Sequence, residues 1–160
     1  MWYDWSGRWI LGVHIMYFVD RKKIEENLTY MEHLLGLLEN EVFESRIEML
    51  GKERIVHVLI ESLLDVGNMM IDGFIMRDPG SYEDIIDILV DEQVIPAQQE
   101  TAYKEFIMLR KNLVTDYVNV DGAKMDETIT SSLPVLKDFS SYIQIYLKNE
   151  LGVANAFLKE

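Results

Sequence analysis

The chain has 160 residues, of which 49% are hydrophobic, with 15 Lys and Arg against 28 Asp and Glu, three prolines and no cysteine. This composition fits one compact domain and excludes a disordered chain. The formal net charge of −13 excludes a broad nucleic-acid-binding surface, and the lack of cysteine excludes disulfides, thiolate metal ligands and thiol nucleophiles.

The N-terminal segment differs from the rest of the chain. All three tryptophans lie within the first nine residues, and the apolar run that follows reaches Val19. A signal peptide is a poor explanation because Asp4 interrupts its n-region, and the run is shorter than the ~20 residues of a membrane span. We expect residues 1–15 to be a non-native or misassigned extension, with a partner-binding aromatic arm as the alternative. One domain then spans residues 16–160, and we expect no membrane association.

Two long helices are predicted next. Asp20 is a suitable N-cap for a helix over Arg21–Asn40, whose apolar residues recur with a 3.6-residue period. A longer helix is predicted from about residue 52 to 77. Its apolar residues cover most of its circumference, so we expect it to be the central helix of a bundle.

The central helix also has one polar stripe, formed by Arg54, His57, Glu61, Asp65, Asn68 and Asp72. We expect this stripe to face solvent, or else a second subunit or Arg110. Glu61 and Asp65 could both reach one cation, but a di-metal bundle site would need Glu-x-x-His motifs that the sequence lacks, so no metal site is expected. His33, alone on the first helix, is expected at the surface.

The remaining elements are also helical. Pro79 and Gly80 should end the central helix, and Ser81 should cap a short helix that extends to about residue 90. Pro96 suits the first turn of another helix. A last helix is predicted from about residue 123 to 151, with a kink or restart at Pro134 and an end at Gly152. No useful period-2 alternation occurs, so the fold class is all-α, an up-and-down bundle of about five helices.

The segment 109–117 contains the densest group of reactive side chains. In an α-helix, Arg110 and Tyr117 would lie within ~20° of each other and share one face. A purely local interpretation is that Arg110 packs on a tyrosine or pairs with an acid. A weak basic patch could include Lys104, Arg110, Lys111 and Lys124. The sequence has no Gly-rich phosphate loop, nucleophile elbow or zinc-protease motif, so no cofactor is expected.

Several segments together resemble the HepT-like family of HEPN proteins, and its YutE-type branch in particular. They are the run from Tyr17 to Glu25, Leu64-Asp65-Val66-Gly67-Asn68, Asp78-Pro79-Gly80-Ser81-Tyr82, and Arg110-x-x-Leu113-Val114-x-x-Tyr117. The resemblance covers nearly everything after residue 16. It implies a HEPN bundle that forms a homodimer with its motif helices facing each other, and a nucleotidyltransferase antitoxin as partner.

In toxin–antitoxin members of that family, the motif is an Arg, commonly followed by Asn, with a His and then a Tyr further along. The Arg and His act in metal-independent RNA cleavage, and the antitoxin attaches AMP to the Tyr. By position, the resemblance gives the Arg role to Arg110 and the modifiable Tyr role to Tyr117. It also makes Lys111 and Asn112 candidates for RNA contact.

The chain departs from the motif at two positions. Thr115 stands at the His position and Lys111 stands where Asn is common. Cleavage without metal needs a group that exchanges protons near neutral pH, which imidazole does and a hydroxyl does not. Asp116 is the nearest substitute base, although a straight helix would place it ~120° from Arg110. We therefore expect a cytoplasmic HepT-like partner protein with weakened or lost ribonuclease activity; the alternatives are an active RNase toxin and a purely structural module.

Overall fold

A computed structural model describes residues 19–157 of the chain. Five α-helices follow one another in this range, and it contains no strand: α1 (Arg21–Asn40), α2 (Arg46–Gly73), α3 (Tyr82–Asp91), α4 (Glu100–Arg110) and α5 (Gly122–Phe157). The all-α, up-and-down bundle predicted from the sequence is confirmed. None of the helices in this range is long and apolar enough to cross a membrane. The predicted extension at residues 1–15 lies outside the described residues.

Helix α1 begins where its cap predicts. The Asp20 carboxylate accepts a hydrogen bond from the Lys23 backbone N–H at 3.0 Å, which satisfies one of the free N–H groups at the helix start. Its apolar face, which includes Ile24, Leu28 and Met31, is buried against α2 and α5. His33 is exposed, as expected.

The central helix α2 begins earlier than predicted, at Arg46. A capping box starts it: the Ser45 hydroxyl accepts from the Glu48 N–H at 3.1 Å, and the Glu48 carboxylate accepts from the Ser45 N–H at 2.8 Å. The apolar periodicity starts later than the helix because Ile47 and Leu50 are exposed. The helix also ends earlier than predicted, at Gly73.

Helix α2 contacts α1, α3 and α4, so its predicted central position is correct. One glycine permits its close approach to α3. A Cβ atom added at Gly67 would lie 2.6 Å from Cγ2 of Ile85, far inside van der Waals contact. Gly67 is therefore needed for the α2–α3 spacing, which in turn determines where the start of α3 lies relative to Arg110.

Helix α5 is continuous through Pro134 and extends beyond Gly152 to Phe157. The predicted restart at Pro134 and the predicted end at Gly152 are both wrong. A proline removes one backbone hydrogen bond, but the inner face of this helix is fully buried against the bundle through Leu136, Phe139 and Ile143. This packing outweighs the local cost of the proline.

Candidate functional site

The chain changes helical geometry at the end of α4. Residues Lys111–Thr115 form a π-helical turn, in which the Asp116 N–H donates to the Lys111 carbonyl at 3.0 Å. Asp116 then leaves helical geometry, and Tyr117–Asn119 forms a separate 3₁₀ turn. The helical arithmetic that put Arg110 and Tyr117 on one face, and Asp116 at ~120° from Arg110, is therefore wrong, because the α-helix does not extend through this segment.

Arg110 is held by one acid and one aromatic ring. Its Nε donates to Oε1 of Glu61 at 2.6 Å, and its Cζ lies 4.6 Å from the centre of the Tyr82 ring. The bond to Glu61 raises the pKa of Arg110 despite partial burial, so the guanidinium stays charged. Arg110 therefore makes both contacts that the purely local interpretation of the sequence gave as alternatives, packing on a tyrosine and pairing with an acid. The polar stripe on α2 accordingly divides, since Glu61 faces Arg110 whereas Asp65 and Asp72 are exposed.

A concave pocket with a volume of about 520 Å³ lies beside this arginine. We call it the Arg110 concavity, and it is lined by Ser81, Tyr82, Glu83, Ile107, Met108, Arg110, Lys111 and Thr115. It brings together three of the predicted site residues, Arg110, Lys111 and Thr115. Asn112, Asp116 and Tyr117 do not line it.

Asn112 organises the loop that follows. Its Nδ2 donates to the carbonyls of Asp116 at 3.3 Å and Asn119 at 2.9 Å, and its Oδ1 accepts from the Asp121 N–H at 2.8 Å. Both ends of the amide are thus used within the loop. The sequence prediction missed this role, and the RNA contact predicted for Asn112 stays a prediction.

Tyr117 lies on the turn that Asn112 holds. Its side chain is 67% exposed, and the next residue, Val118, is 82% exposed. Thr115 and Asp116 are exposed as well. A phenol in this position is open to another protein.

The predicted basic patch is neutralised at two of its four cations. Lys104 contacts Asp87 at 2.5 Å and Glu100 at 2.6 Å, and these acids raise its pKa. Arg110 is paired with Glu61, while Lys111 and Lys124 are exposed. The cations that can meet a phosphate at the concavity are therefore Lys111 and the remaining donors of Arg110.

Two further polar residues of the α2 stripe approach Arg110 through Glu61, in line with the alternative in which the stripe faces Arg110. His57 Nε2 lies 3.7 Å from Oε1 of Glu61, the same atom that accepts from Arg110. Nη1 of Arg54 lies 3.3 Å from His57 Nδ1. The sequence left three possible neighbours for this stripe, and the structure shows that Glu61 contacts Arg110. Within residues 19–157, no group of three or more His, Cys, Asp or Glu could hold a metal ion.

Comparison with known proteins gives consistent matches. A family model described as "Ribonuclease HepT-like" matches residues 24–143. The Bacillus subtilis (strain 168) protein named "Putative RNase YutE" is 48% identical over 143 residues, which is 89% of this chain and 99% of that protein. A solved structure described as "Structure of Cytosolic Protein of Unknown Function YutE from Bacillus subtilis" matches with a TM-score of 0.82 and 48% identity, over 84% of this chain and 95% of that one.

Proposed function

The chain belongs to the HepT-like family of HEPN ribonucleases, and we propose that it is a cytoplasmic toxin–antitoxin-type partner of a nucleotidyltransferase and that its own ribonuclease activity is weakened or lost. The single observation that supports this proposal best is that the residue in the RNA-cleaving role and the residue in the AMP-accepting role lie apart from each other. Arg110 lines the concavity with Thr115 at the His position, whereas Tyr117 lies outside it on an exposed turn.

Binding of RNA in this proposal is local. Glu61 takes only the Nε–H of Arg110, and a guanidinium has five N–H donors in a planar fork. The Nη groups can therefore bind a phosphate while Glu61 and the Tyr82 ring hold the arginine in place. Lys111 adds a second charge at the same concavity.

A homodimer is part of the proposal. Two large apolar side chains that line the Arg110 concavity are exposed, those of Tyr82 and Met108. A second copy that covered this face would bring two Arg110 concavities together. Sedimentation of the wild-type chain should show a dimer that Met108→Lys weakens. A wild-type monomer at micromolar concentration would contradict this part of the proposal.

Tyr117 is the proposed acceptor of AMP. Its phenolic oxygen would attack the α-phosphorus of ATP in the partner's active site, so that a P–O bond forms, pyrophosphate leaves and the phenol loses its proton. The exposed ring satisfies the steric requirement of that reaction. A bulky anionic group next to the concavity would then repel RNA.

Mass spectrometry tests this assignment. The wild-type chain, incubated with a nucleotidyltransferase encoded beside it, ATP and Mg²⁺, should gain one adenylyl group, and Tyr117→Phe should gain none. Tyr30→Phe is the matched control, because Tyr30 is an exposed tyrosine on α1. Equal modification of the Tyr117→Phe chain would refute the assignment, and no modification of the wild type would favour a structural module.

A further inference from the structure

Four side chains form a continuous polar row from α2 to the end of α4: Arg54, His57, Glu61 and Arg110. The contacts are 3.3 Å from Arg54 to His57, 3.7 Å from His57 to Glu61 and 2.6 Å from Glu61 to Arg110. The same carboxylate oxygen therefore meets both the imidazole and the guanidinium. This arrangement puts an imidazole one carboxylate away from the arginine whose motif partner is replaced by Thr115.

We propose that His57 is the proton-transfer group for RNA cleavage at Arg110, taking over the chemistry that Thr115 cannot perform. The inference rests on the proposed function, because it assigns the residual ribonuclease activity of the same site. The imidazole comes from a different helix than the motif histidine would. That difference in position is why we expect cleavage to be slow rather than absent.

The surroundings of His57 suit this role. Its side chain is 29% exposed, so a substrate hydroxyl can reach the ring. Of the two histidines in the described part of the chain, His33 lies on α1 and stacks on Tyr30 instead. Nε2 faces the Glu61 carboxylate at 3.7 Å, and this negative charge favours the tautomer that carries its proton on Nε2 and leaves Nδ1 as the basic nitrogen.

Arg54 is the group that must move. Its Nη1 faces His57 Nδ1 at 3.3 Å, the nitrogen that would take the substrate proton. Arg54 is exposed, and an incoming phosphate is a stronger partner for a guanidinium than a neutral imidazole is. The charged groups placed against the ring are thus Arg54 and Glu61 on α2 and, beyond Glu61, Arg110 on α4.

The reaction needs no metal. His57 Nδ1 takes the proton of a ribose 2′-hydroxyl, and the 2′-oxygen forms a bond to the adjacent phosphorus. The bond from phosphorus to the 5′-oxygen breaks on the opposite side, that oxygen takes a proton from solvent water, and the imidazolium releases its proton to the solvent. Arg110 stabilises the charge on the non-bridging oxygens through its Nη groups. The products are a 2′,3′-cyclic phosphate and a free 5′-hydroxyl.

The test is metal-free cleavage of a labelled single-stranded RNA in EDTA by wild type, His57→Ala, His57→Gln and Arg110→Ala, with His33→Gln as the matched control. We expect both His57 variants to lose about 10²–10⁴-fold in kcat with KM nearly unchanged. Added imidazole should restore part of the rate to His57→Ala but none to Arg110→Ala. His33→Gln should cleave like wild type.

The outcomes separate this inference from the proposed function. If His57→Gln cleaves like wild type while Arg110→Ala is inactive, His57 has no catalytic role and the proposed function stands. If wild type binds RNA and is modified at Tyr117 but cleaves nothing, the inference is refuted and the proposed function again stands. If Arg110→Ala cleaves like wild type, cleavage occurs elsewhere, and both are refuted.

Discussion

Two cations on α4, Lys104 near its middle and Arg110 at its end, meet acidic side chains in different ways. Lys104 is held by two carboxylates, Asp87 on α3 and Glu100 on its own helix. Arg110 meets a single carboxylate, that of Glu61, and its flat face lies on an aromatic ring. The ammonium is therefore fully compensated by acids, whereas the guanidinium keeps hydrogen-bond donors for a ligand.

The two environments also differ in shape. Lys104 belongs to an acidic junction between α3 and α4, together with Asp84 at the start of α3 and Arg77 in the loop before it. The Arg110 end opens into a concavity and continues into a π-helical turn. The ion pairs of Lys104 connect α3 to α4, whereas Arg110 leaves a positive charge accessible to a ligand. Net charge alone does not distinguish them, so the number and type of partners must be considered for each cation.

The largest expected effect comes from restoring the missing motif imidazole. Thr115 lines the concavity with Arg110, so Thr115→His should raise metal-free RNA cleavage by about 10²–10⁴-fold. The initial rate with a labelled single-stranded RNA measures it. Thr115→Ser is the matched control and should change little. A Thr115→His chain that cleaves no faster than wild type would show that position 115 does not direct a side chain at the bound phosphate.

The next largest effect distinguishes the role of Arg110 from that of Lys104. Arg110→Ala should lower RNA cleavage by about 10²–10³-fold, because it removes donors aimed at the phosphate. Its stability should change little, since partly exposed ion pairs contribute only about 0–1 kcal/mol. Lys104→Ala should leave RNA binding and cleavage normal, with at most a small decrease in Tm, because its two ion pairs are also partly exposed. Equal loss of RNA binding in both variants would contradict the distinction.

Much of the bundle could be predicted because its determinants are local. The Asp20 cap and the buried periodicity of α1 specify that helix, and Ser81 starts α3 as expected, with its hydroxyl accepting from the Asp84 N–H. The start of α2 was missed although Ser45 and Glu48 form a capping box, because the helix begins on exposed apolar residues that give no periodic pattern.

The candidate site was predicted only in part. Arg110 and Thr115 could be placed by resemblance, and both line the concavity. The π-helical turn could not be predicted, because it depends on how Asn112 bonds to carbonyl and N–H groups further along the chain. The pair formed by Glu61 and Arg110 spans 49 residues. Such a contact is decided by how α2 and α4 pack, and the apolar pattern does not specify which polar side chains then meet.

A smaller effect is expected in the loop after Arg110. Asn112→Ala should remove three hydrogen bonds and lower the free energy of unfolding by about 1–3 kcal/mol. Because the loop positions Tyr117, adenylylation by the partner should slow as well. Urea denaturation and the rate of AMP incorporation measure the two effects.

Asn119→Ala is the matched control for the loop, since only the backbone carbonyl of Asn119 accepts from Asn112. It should leave both quantities near the wild-type values. If Asn112→Ala kept wild-type stability and incorporation, the bonds of this amide would not determine the position of Tyr117.

The smallest expected effect concerns the acidic junction and depends on pH. Asp84 accepts from Arg77 at 2.8 Å and from the Gly80 N–H at 2.8 Å, and these contacts hold its pKa below the ordinary value of 3.8. A lowered folded-state pKa gives stability that is complete above the ordinary pKa and is lost as pH falls through the folded value. Asp84→Asn should therefore lower Tm at pH 7, and the difference in Tm between this variant and the wild type should narrow below pH ~4.

Asp91→Asn is the control, because the contact of Asp91 with Arg77 is longer, at 3.6 Å. If the difference in Tm stayed constant from pH 7 to pH 3, the contribution of Asp84 to stability would come from its packing and not from its charge. The acidic junction would then differ from the surroundings of Arg110 in packing alone.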